Sequence, residues 1–562
     1  MAFSDVLEQV GSTGRFQVLH VVLLCVPVLM MASHNLLQNF VAAVPFHHCR
    51  AHSNVSQSQL SPEEMLLITG PLDQAARPHK CQRYVAPQWH LLANNGTFSS
   101  GDLRETEDDL DVGLQGCEDG WSYNMTAMTS TIISEWDLVC DQRSLKQMGQ
   151  TVYMGGVLVG ALLFGSLSDR YGRRILLLIS YLLMAVSGTC VAFSSSFSLY
   201  CLFRFGCGMA LSGNGLNTFS LIVEWIPTRV RTVIGTITGY CYTIGQLILV
   251  LIAYFIRDWR WLTLAVSLPF YVFFLIAWWF HESARWLVLN NKPEQALKNL
   301  KSVAKFNGRH EEGEKIDINI LQESMKKELS SAQGSYSYLD LFRTRRMRTM
   351  TLAVSIVWLS TSFAYYGLAM DLQKFGVDIF LIQVIFGAVD IPAKVVITVC
   401  MSFIGRRPSQ SGVLIVAGTS ILLNLLVPHE KQLIRTCLAV VGKGCLAASF
   451  NCCYLYTGEL YPTIIRQSGL GWASMMARVG SMVAPMVLLA GDLVPWLPGL
   501  IYGGAPVLSG VAAIFLPETL GSPLPDTIQD VEDRGSGRRP KKLSKETITL
   551  QNMETDLLKL PA

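Results

Sequence analysis

Charged residues are scarce in this chain of 562 residues. Asp, Glu, Lys and Arg make up 15% of it, against roughly 25% in a typical soluble domain. Half of the residues are hydrophobic, and they are gathered into long blocks instead of being spread at the spacing of a soluble core. The composition therefore argues against a string of soluble domains. The net charge of +3 says little about partners.

Motifs that mark several other function classes are also missing. No G-x-x-x-x-G-K-[ST] loop occurs, because Gly442-Lys443 is followed by Gly444, and this argues against an ATP-driven pump. No metal cluster or nucleophile–base constellation stands out, so we expect no enzyme activity, no cofactor, no metal and no nucleic-acid partner. The first apolar block is not closed by a cleavage site of the A-x-A kind, and we expect it to be retained as a membrane span.

Twelve apolar blocks are long enough to cross a bilayer. The hydrocarbon core is about 30 Å thick, so a helix needs about 20 mostly apolar residues to span it. The blocks are continuous instead of alternating, which predicts helices and not barrel strands. The predicted spans are 16–36, 148–166, 175–195, 199–221, 234–255, 260–280, 348–370, 378–401, 409–427, 434–457, 467–489 and 495–516.

The hydrophilic stretch 45–146 carries the marks of an extracellular loop. It holds fourteen acidic residues against seven basic ones. Sequons begin at Asn54, Asn95 and Asn124, and four cysteines allow three pairings. Together they indicate the oxidising, glycosylated side of the membrane. The cysteines are Cys49, Cys81, Cys117 and Cys140.

A second hydrophilic stretch, 281–347, has the opposite balance, with twelve Lys and Arg against nine Asp and Glu and no cysteine. The positive-inside rule places this linker, the Arg-bearing short loops and both termini in the cytoplasm. The pattern predicts amphipathic helices over 293–301 and 321–330 in the linker. The tail beyond Asp530 is polar and charged, which predicts disorder.

The two halves of the chain repeat one another at a nearly fixed offset. Glu224-Trp-Ile-Pro-Thr returns as Glu459-Leu-Tyr-Pro-Thr after 235 residues, and Gly172-Arg-Arg returns as Gly405-Arg-Arg after 233. Glu282-Ser returns as Glu518-Thr after 236. We therefore predict two pseudo-symmetric six-helix halves. Their proposed bounds are 1–280 and 348–516, with a linker over 281–347 and a tail over 517–562.

The segment Gly165-Ser-Leu-Ser-Asp-Arg-Tyr-Gly-Arg-Arg174 resembles the signature of the major facilitator superfamily between helices two and three. The resemblance implies an all-α membrane protein with twelve transmembrane helices, whose halves rock about a site near the midplane. Its charged residues can pair at the cytoplasmic face and hold one conformation. The predicted latch residues are Asp169, Arg170, Arg173 and Arg174.

Other segments resemble solute carrier family 22. They include Met31-Ala-Ser-His-Asn-Leu-Leu-Gln-Asn39, Glu135-Trp-Asp-Leu-Val-Cys140, Glu282-Ser-Ala-Arg-Trp286 and Tyr456-Thr-Gly-Glu-Leu-Tyr-Pro462. Within that family the chain is most similar to the organic anion branch, in particular its renal type 1 and type 3 groups. The resemblance implies exchange of small organic anions for a dicarboxylate such as 2-oxoglutarate at a basolateral epithelial membrane. His281 departs from the family, because many members have Pro before Glu-Ser.

Several cations lie inside predicted spans, where a charge costs about 2.5–3.5 kcal/mol on insertion scales. Lys394 is in the eighth span and Arg478 in the eleventh. We expect both to receive an anionic group, with Arg supplying a planar fork and Lys a point charge. A structural ion pair is the alternative, since Asp390 lies one turn from Lys394. Arg204 fits a structural role equally well, and Lys443 has no assigned role.

Further substrate contacts are implied by the resemblance. Aromatic walls suit drug-like anions, which need apolar contact beside a charge partner. The expected contacts are Tyr242, Trp358, Tyr365, Tyr366, Phe450, Asn35 and Asn39. Two other functions stay open at this point, a carrier of organic cations or zwitterions in the same family and a transmembrane receptor.

Overall fold

The computed structural model contains twelve long helices or helix pairs at the predicted spans. It describes residues 3–11, 13–52, 60–72, 77–92, 113–324, 339–370, 377–428, 430–462, 465–491, 494–521, 525 and 528–535. The chain divides into two compact units. The first comprises Met1–Ser324, Ala369–Ala388 and Met482–Pro495, and the second comprises Met325–Leu368, Val389–Ser481 and Trp496–Ala562. The domain bounds derived from the sequence stay a prediction.

Six spans lie in the N-terminal half. A short helix α1 (Phe3–Gly11) precedes them. The spans are α2 with α3 (Arg15–Leu36, Gln38–Val41), α6 (Ser144–Tyr171), α7 (Arg173–Ala192), α8 (Phe197–Trp225), α9 (Thr228–Phe255) and α10 with α11 (Trp259–Ser267, Pro269–Ala277). The sixth predicted span is thus interrupted at Leu268, because Pro269 has no N–H to continue the ladder and starts a new helix instead.

Six more spans follow in the C-terminal half. They are α16 (Arg345–Ala369), α17 (Ile379–Phe403), α18 (Arg406–Leu426), α19 (Gln432–Leu460), α20 (Arg466–Ala490) and α21 (Leu497–Ile514). Large apolar side chains stand exposed along them, such as Phe403 at 82% and Leu508 at 72%. Such surface suits contact with lipid, which is as apolar as the side chains themselves.

Eleven of the described spans are long and apolar enough to cross a membrane by composition alone. The twelfth, α8, does not reach that hydropathy although it has 29 residues. It buries a polar row that includes Arg204, Asn214, Asn217 and Thr218. Polar residues in a membrane helix are tolerated when they face protein, and α8 packs against α6 and α7.

The loop after the first span folds around two short antiparallel sheets. β1 (His47–Cys49) pairs with β4 (Trp121–Tyr123), and β2 (Arg83–Tyr84) pairs with β3 (Leu114–Gln115). Helices α4 (Pro62–Thr69) and α5 (Ile132–Glu135) complete the described part. Disulfides join Cys49 to Cys117 and Cys81 to Cys140, one of the three possible pairings. The sequons at Asn54 and Asn95 lie outside the described residues, whereas Asn124 is described and exposed.

The linker contains α12 (Ala284–Leu289), α13 (Pro293–Phe306), α14 (His310–Glu314) and α15 (Asp340–Arg343). The prediction of an amphipathic helix at 293–301 is confirmed by α13, which begins with Pro293. Residues 318–324 are helical, and the rest of the second predicted helix lies outside the described residues. Asn307 ties the linker to α1 and to the first span. Its Oδ1 accepts from the Phe16 N–H of the span at 2.9 Å, and its Nδ2 donates to the Val10 carbonyl of α1 at 3.0 Å.

The tail is described only as far as a short helix α22 (Ile528–Gly535), which falls at the start of the stretch predicted to be disordered. The remainder of that prediction lies outside the described residues.

Candidate functional site

Arg478 lies on α20 in the second unit and is half-buried. Its Nη1 donates to the Ser474 carbonyl at 3.0 Å and also contacts Ser474 Oγ. Its Nε is buried without an acceptor in the described chain. Tyr366 and Tyr454 are close enough to interact with it electrostatically. The guanidinium therefore keeps donor capacity that the described residues do not use.

Asp390 and Lys443 form a buried ion pair in the same unit. Lys443 Nζ lies 2.9 Å and 3.0 Å from the two Asp390 oxygens, and the side chains are only 1% and 2% exposed. Lys394 is half-buried on α17, one turn beyond Asp390. It is close enough to interact electrostatically with both Asp390 and Lys443. Lys443 is therefore a close partner of Asp390 that the local spacing did not suggest.

Five aromatic residues form a continuous chain in the second unit. Trp358 contacts Tyr454 at a ring-centroid distance of 4.6 Å and Phe450 at 6.3 Å. Phe450 contacts Tyr365 at 5.3 Å, and Tyr365 contacts Tyr366 at 5.4 Å. We call this set the aromatic chain. It brings together four of the residues predicted to contact substrate, and it adds Tyr454, which the sequence did not single out.

Two members of the aromatic chain, Trp358 and Tyr365, have polar partners within the second unit. Trp358 is 1% exposed, and its indole N–H donates to Thr457 Oγ1 at 2.9 Å. Tyr365 is buried, its hydroxyl lies 3.5 Å from Asp390 Oδ2, and Lys443 Nζ sits 4.0 Å from its ring centroid. In this conformation the Tyr365 ring contacts the charged pair, whereas Tyr366 and Phe450 are partly exposed.

Three predicted contact residues lie in the first unit. Asn35 Nδ2 donates to the Tyr242 hydroxyl at 2.7 Å, so these two side chains meet. Asn39 Nδ2 donates to the Ala369 carbonyl at 2.9 Å and to Gln383 Oε1 at 3.1 Å. Asn39 therefore hydrogen-bonds to the end of α16 and to the beginning of α17. Its spacing from Asn35 did not predict these contacts.

The predicted latch residues surround the start of α7. Arg173 pairs with Asp169 at 2.9 Å and with Glu224 at 3.3 Å. Glu282 accepts the backbone N–H groups of Arg173 at 3.2 Å and Arg174 at 3.0 Å. A carboxylate at a helix N-terminus satisfies N–H groups that have no partner inside the helix.

Arg170 and Arg174 take different positions around this cluster. The Arg170 guanidinium lies 5.5 Å from the Tyr171 ring centroid and enters no ion pair in the described chain. The Arg174 side chain donates to the Trp278 carbonyl. Only Arg173 joins the acidic groups through its side chain.

The same arrangement recurs at the start of α18. Arg406 pairs with Glu459 at 3.1 Å, and Glu518 accepts the N–H groups of Arg406 at 2.9 Å and Arg407 at 3.0 Å. The three repeated sequence segments thus converge into one cluster in each half. We call them the first and second charge clusters.

A glycine precedes the capped helix in both clusters. Gly172 has φ of +100° and Gly405 has φ of +112°, a region that favours glycine. A Cβ at Gly172 would lie 2.4 Å from Glu282 Oε2, and one at Gly405 would lie 2.7 Å from Glu518 Oε2. The glycine is needed both for the backbone conformation and for the approach of the carboxylate.

The two capping carboxyls differ in acidity. Burial raises the pKa of Glu282, although three backbone N–H groups and Arg173 oppose this. Burial acts in the same direction on Glu518, but N–H groups of Leu520, Arg406, Arg407 and Thr519 outweigh it and lower its pKa.

Comparison with known proteins identifies the family of the chain. Residues 113–529 match the family model described as "Sugar (and other) transporter". The chain is 77% identical to solute carrier family 22 member 6 of Pseudopleuronectes americanus over the full length of both proteins. It is 50% identical to the protein of that name from Oryctolagus cuniculus, with 98% of each chain covered.

Solved structures with a similar fold include the proton:xylose symporter XylE bound to 6-bromo-6-deoxy-D-glucose. The TM-score is 0.55 at 18% identity, covering 70% of this chain and 90% of that one. The inward open conformation of XylE from E. coli gives a TM-score of 0.54 with the same coverage. At this identity the likeness concerns the fold alone. The chain therefore belongs to solute carrier family 22 of the major facilitator superfamily, and it is a multi-pass membrane transporter and not an enzyme.

Proposed function

We propose that the chain carries organic anions across the cell membrane by alternating access. The observation that carries this proposal is the pair of cations in the spans of the second unit, Lys394 and Arg478, near the aromatic chain. A guanidinium with unused donors suits a carboxylate or sulfate, and aromatic rings suit the apolar body of a drug-like anion. Asn35, Asn39 and Tyr242 are proposed as further polar contacts of the substrate.

Asp390 bears on the role of Lys443. Its carboxylate lies within hydrogen-bond distance of Lys443 through both oxygens. Lys443 is therefore neutralised inside its own unit, and it is a poor candidate for binding an external anion. Lys394 and Arg478 remain the cations proposed to meet substrate.

The proposed transport is an exchange of an external organic anion for an internal dicarboxylate such as 2-oxoglutarate. In this proposal the loop over 45–146 is extracellular and both termini are cytoplasmic, at the basolateral membrane of renal epithelial cells. The two disulfides and the exposed sequon at Asn124 support the side assigned to the loop, because disulfides and glycans belong to the oxidising side.

Uptake of labelled p-aminohippurate tests the proposal. The chain is expressed in cells without endogenous transport, and uptake is normalised to surface protein. We expect uptake above the untransfected background, and we expect it to rise when the cells are preloaded with 2-oxoglutarate. Uptake that ignores preloading would refute the exchange, and the absence of any uptake by surface-expressed protein would refute organic anion transport.

An organic cation or zwitterion carrier is the second candidate within the family. A labelled quaternary ammonium ion, offered to the same cells, distinguishes the two. The charges of Lys394 and Arg478 favour anions, so we expect no saturable uptake of the cation.

A further inference from the structure

Two free cysteines face each other where the first span packs against α9. Cys25 lies on α2 and Cys241 on α9, both in the first unit, and both are free thiols. Cys25 Sγ lies 3.7 Å from Thr238 Oγ1. Thr238 and Cys241 are three residues apart on one helix, so their side chains lie on the same face. Cys25 therefore meets the face of α9 that carries Cys241.

The register of the two helices places the thiols at the same level. One turn after each cysteine, α2 and α9 are in close contact, because a Cβ on Gly245 would lie 2.2 Å from the Leu29 carbonyl oxygen. Cys25 and Cys241 are separated along the chain by the same number of positions as Leu29 and Gly245. Ser33 Oγ, one turn further along α2, donates to the Gly245 carbonyl at 3.2 Å. The two thiols are accordingly close enough to hydrogen-bond to each other and to interact electrostatically.

The position of this pair favours a ligand whose complex is uncharged. Cys25 is 6% exposed and Cys241 is half-buried, and both lie near the middle of their spans. A net charge at that depth in a membrane is unfavourable. Thiol sulfur is soft and polarisable and prefers soft partners. Two sulfurs also fall short of the four ligands that zinc takes in structural sites.

An arsenic(III) centre with one organic substituent meets both requirements. It has two valences left for sulfur, and its complex with two thiolates carries no net charge. Because both sulfurs come from one protein, the second As–S bond forms within the molecule and is favoured by a high effective concentration. A monothiol in solution has no such advantage.

We propose that Cys25 and Cys241 form a dithiol site in the first unit that captures organic arsenic(III) compounds of the type R–As=O. Each thiol gives up its proton, two As–S bonds form and the As=O bond breaks. The oxygen leaves with both protons as water, and no electron is transferred. The bound arsenic bridges α2 and α9. The site lies on other helices than Lys394 and Arg478, and it does not depend on the proposed transport of organic anions.

Retention of phenylarsine oxide by the purified full-length protein tests this site without any transported substrate. The protein is incubated with the arsenical, washed with the monothiol glutathione, and analysed for bound arsenic per chain. We expect arsenic to stay on the parent protein through this wash and to be removed by the dithiol 2,3-dimercaptopropanol. A parent protein that retains no arsenic after the glutathione wash would overturn the proposal.

Three variants and one control identify the two sulfur ligands. Cys25→Ser and Cys241→Ser should each lose one arsenic per chain relative to the parent. The double variant should lose no more than either single variant, because the two thiols share one arsenic. Cys437→Ser, at an exposed position near the start of α19, is the control and should retain the parental amount. Parental retention by Cys25→Ser or by Cys241→Ser would refute the pairing, and so would a doubled loss in the double variant.

Diffraction gives a direct reading on the parent protein, which keeps the proposal testable if a serine variant does not fold. In crystals treated with phenylarsine oxide, anomalous scattering should place arsenic between Cys25 Sγ and Cys241 Sγ. Arsenic found only at other cysteines would contradict it.

Discussion

Asp390 lies near two lysines, and one of them is a close partner from another helix. Lys443 reaches both of its oxygens from a different helix, while Lys394 is a turn away on the same helix. Spacing along one helix can suggest an i,i+4 pair, and it suggested Asp390 with Lys394. No sequence rule points from position 390 to position 443, because that contact is created by the packing of α17 against α19. The role of Lys443 therefore could not be predicted from the sequence.

Replacing one member of the Asp390–Lys443 pair should destabilise the protein more than replacing both. Lys443→Met leaves a buried carboxylate without its close partner, which typically destabilises a protein by about 3–5 kcal/mol. We expect a lower unfolding midpoint for Lys443→Met and substantial recovery in Lys443→Met/Asp390→Asn. Lys431→Met, at an exposed position before α19, is the control and should unfold like the parent. Equal midpoints for all three variants would show that the pair contributes nothing.

Arg478 should decide charge selectivity. Arg478→Asp places an anion where a carboxylate is proposed to bind, and like charges repel strongly at low dielectric. We expect p-aminohippurate uptake per surface molecule to fall by about 10- to 100-fold, the equivalent of a lost charge-assisted hydrogen bond. Arg478→Lys keeps the charge without the planar fork, and it should retain partial transport with altered substrate preference. Parental uptake by Arg478→Asp would make Arg478 structural.

At the scale of the element, hydrophobic runs were sufficient to find all twelve spans, including α8 with its polar row. The break at Leu268 was missed, although Pro269 was visible, because proline in a membrane helix can also be accommodated without a break. The strands of the loop were not predicted. They are two or three residues long and pair across 30 to 76 positions, so no local alternation of apolar and polar residues predicts them.

The loop between the first two spans should carry glycans. Glycosidase treatment should increase the gel mobility of the parent protein, and replacing Asn54, Asn95 and Asn124 together should abolish that change. Asn124 is exposed directly after β4 and can be tested alone. Thr126→Val destroys its sequon while Thr126→Ser preserves it, so only the former should remove a glycan. A surface-expressed parent whose mobility does not change would place the loop on the other side of the membrane.

At the scale of the whole molecule, the repeat found in the sequence corresponds to a repeated structure. The three pairs of segments form the first and second charge clusters, each with a glycine, an arginine and two glutamates. The agreement is incomplete at one position. At the offset of 233 residues, Asp169 corresponds to Ser402. Arg173 therefore has two acidic partners, whereas Arg406 has only Glu459 among the described residues.

This asymmetry gives the latch hypothesis a matched control. Asp169 is 77% exposed, so its pair with Arg173 should add little to stability. If it holds one conformation of the transport cycle, Asp169→Asn should lower the maximal uptake rate per surface molecule and leave half-saturation unchanged. Ser402→Ala changes the equivalent place in the other half and should leave the rate as in the parent. Equal rates for Asp169→Asn and the parent would remove the latch role.

Glu282 and Glu518 also bear on how the molecule can be dissected. Each lies beyond the last span of its half, and each supplies the acceptors missing at the first turn of that half's third span. A fragment cut at residue 280 or 516 would retain all six spans and still begin α7 or α18 with bare N–H groups. A fragment that keeps the helix start intact must therefore extend to a carboxylate two residues past the end of the last predicted span.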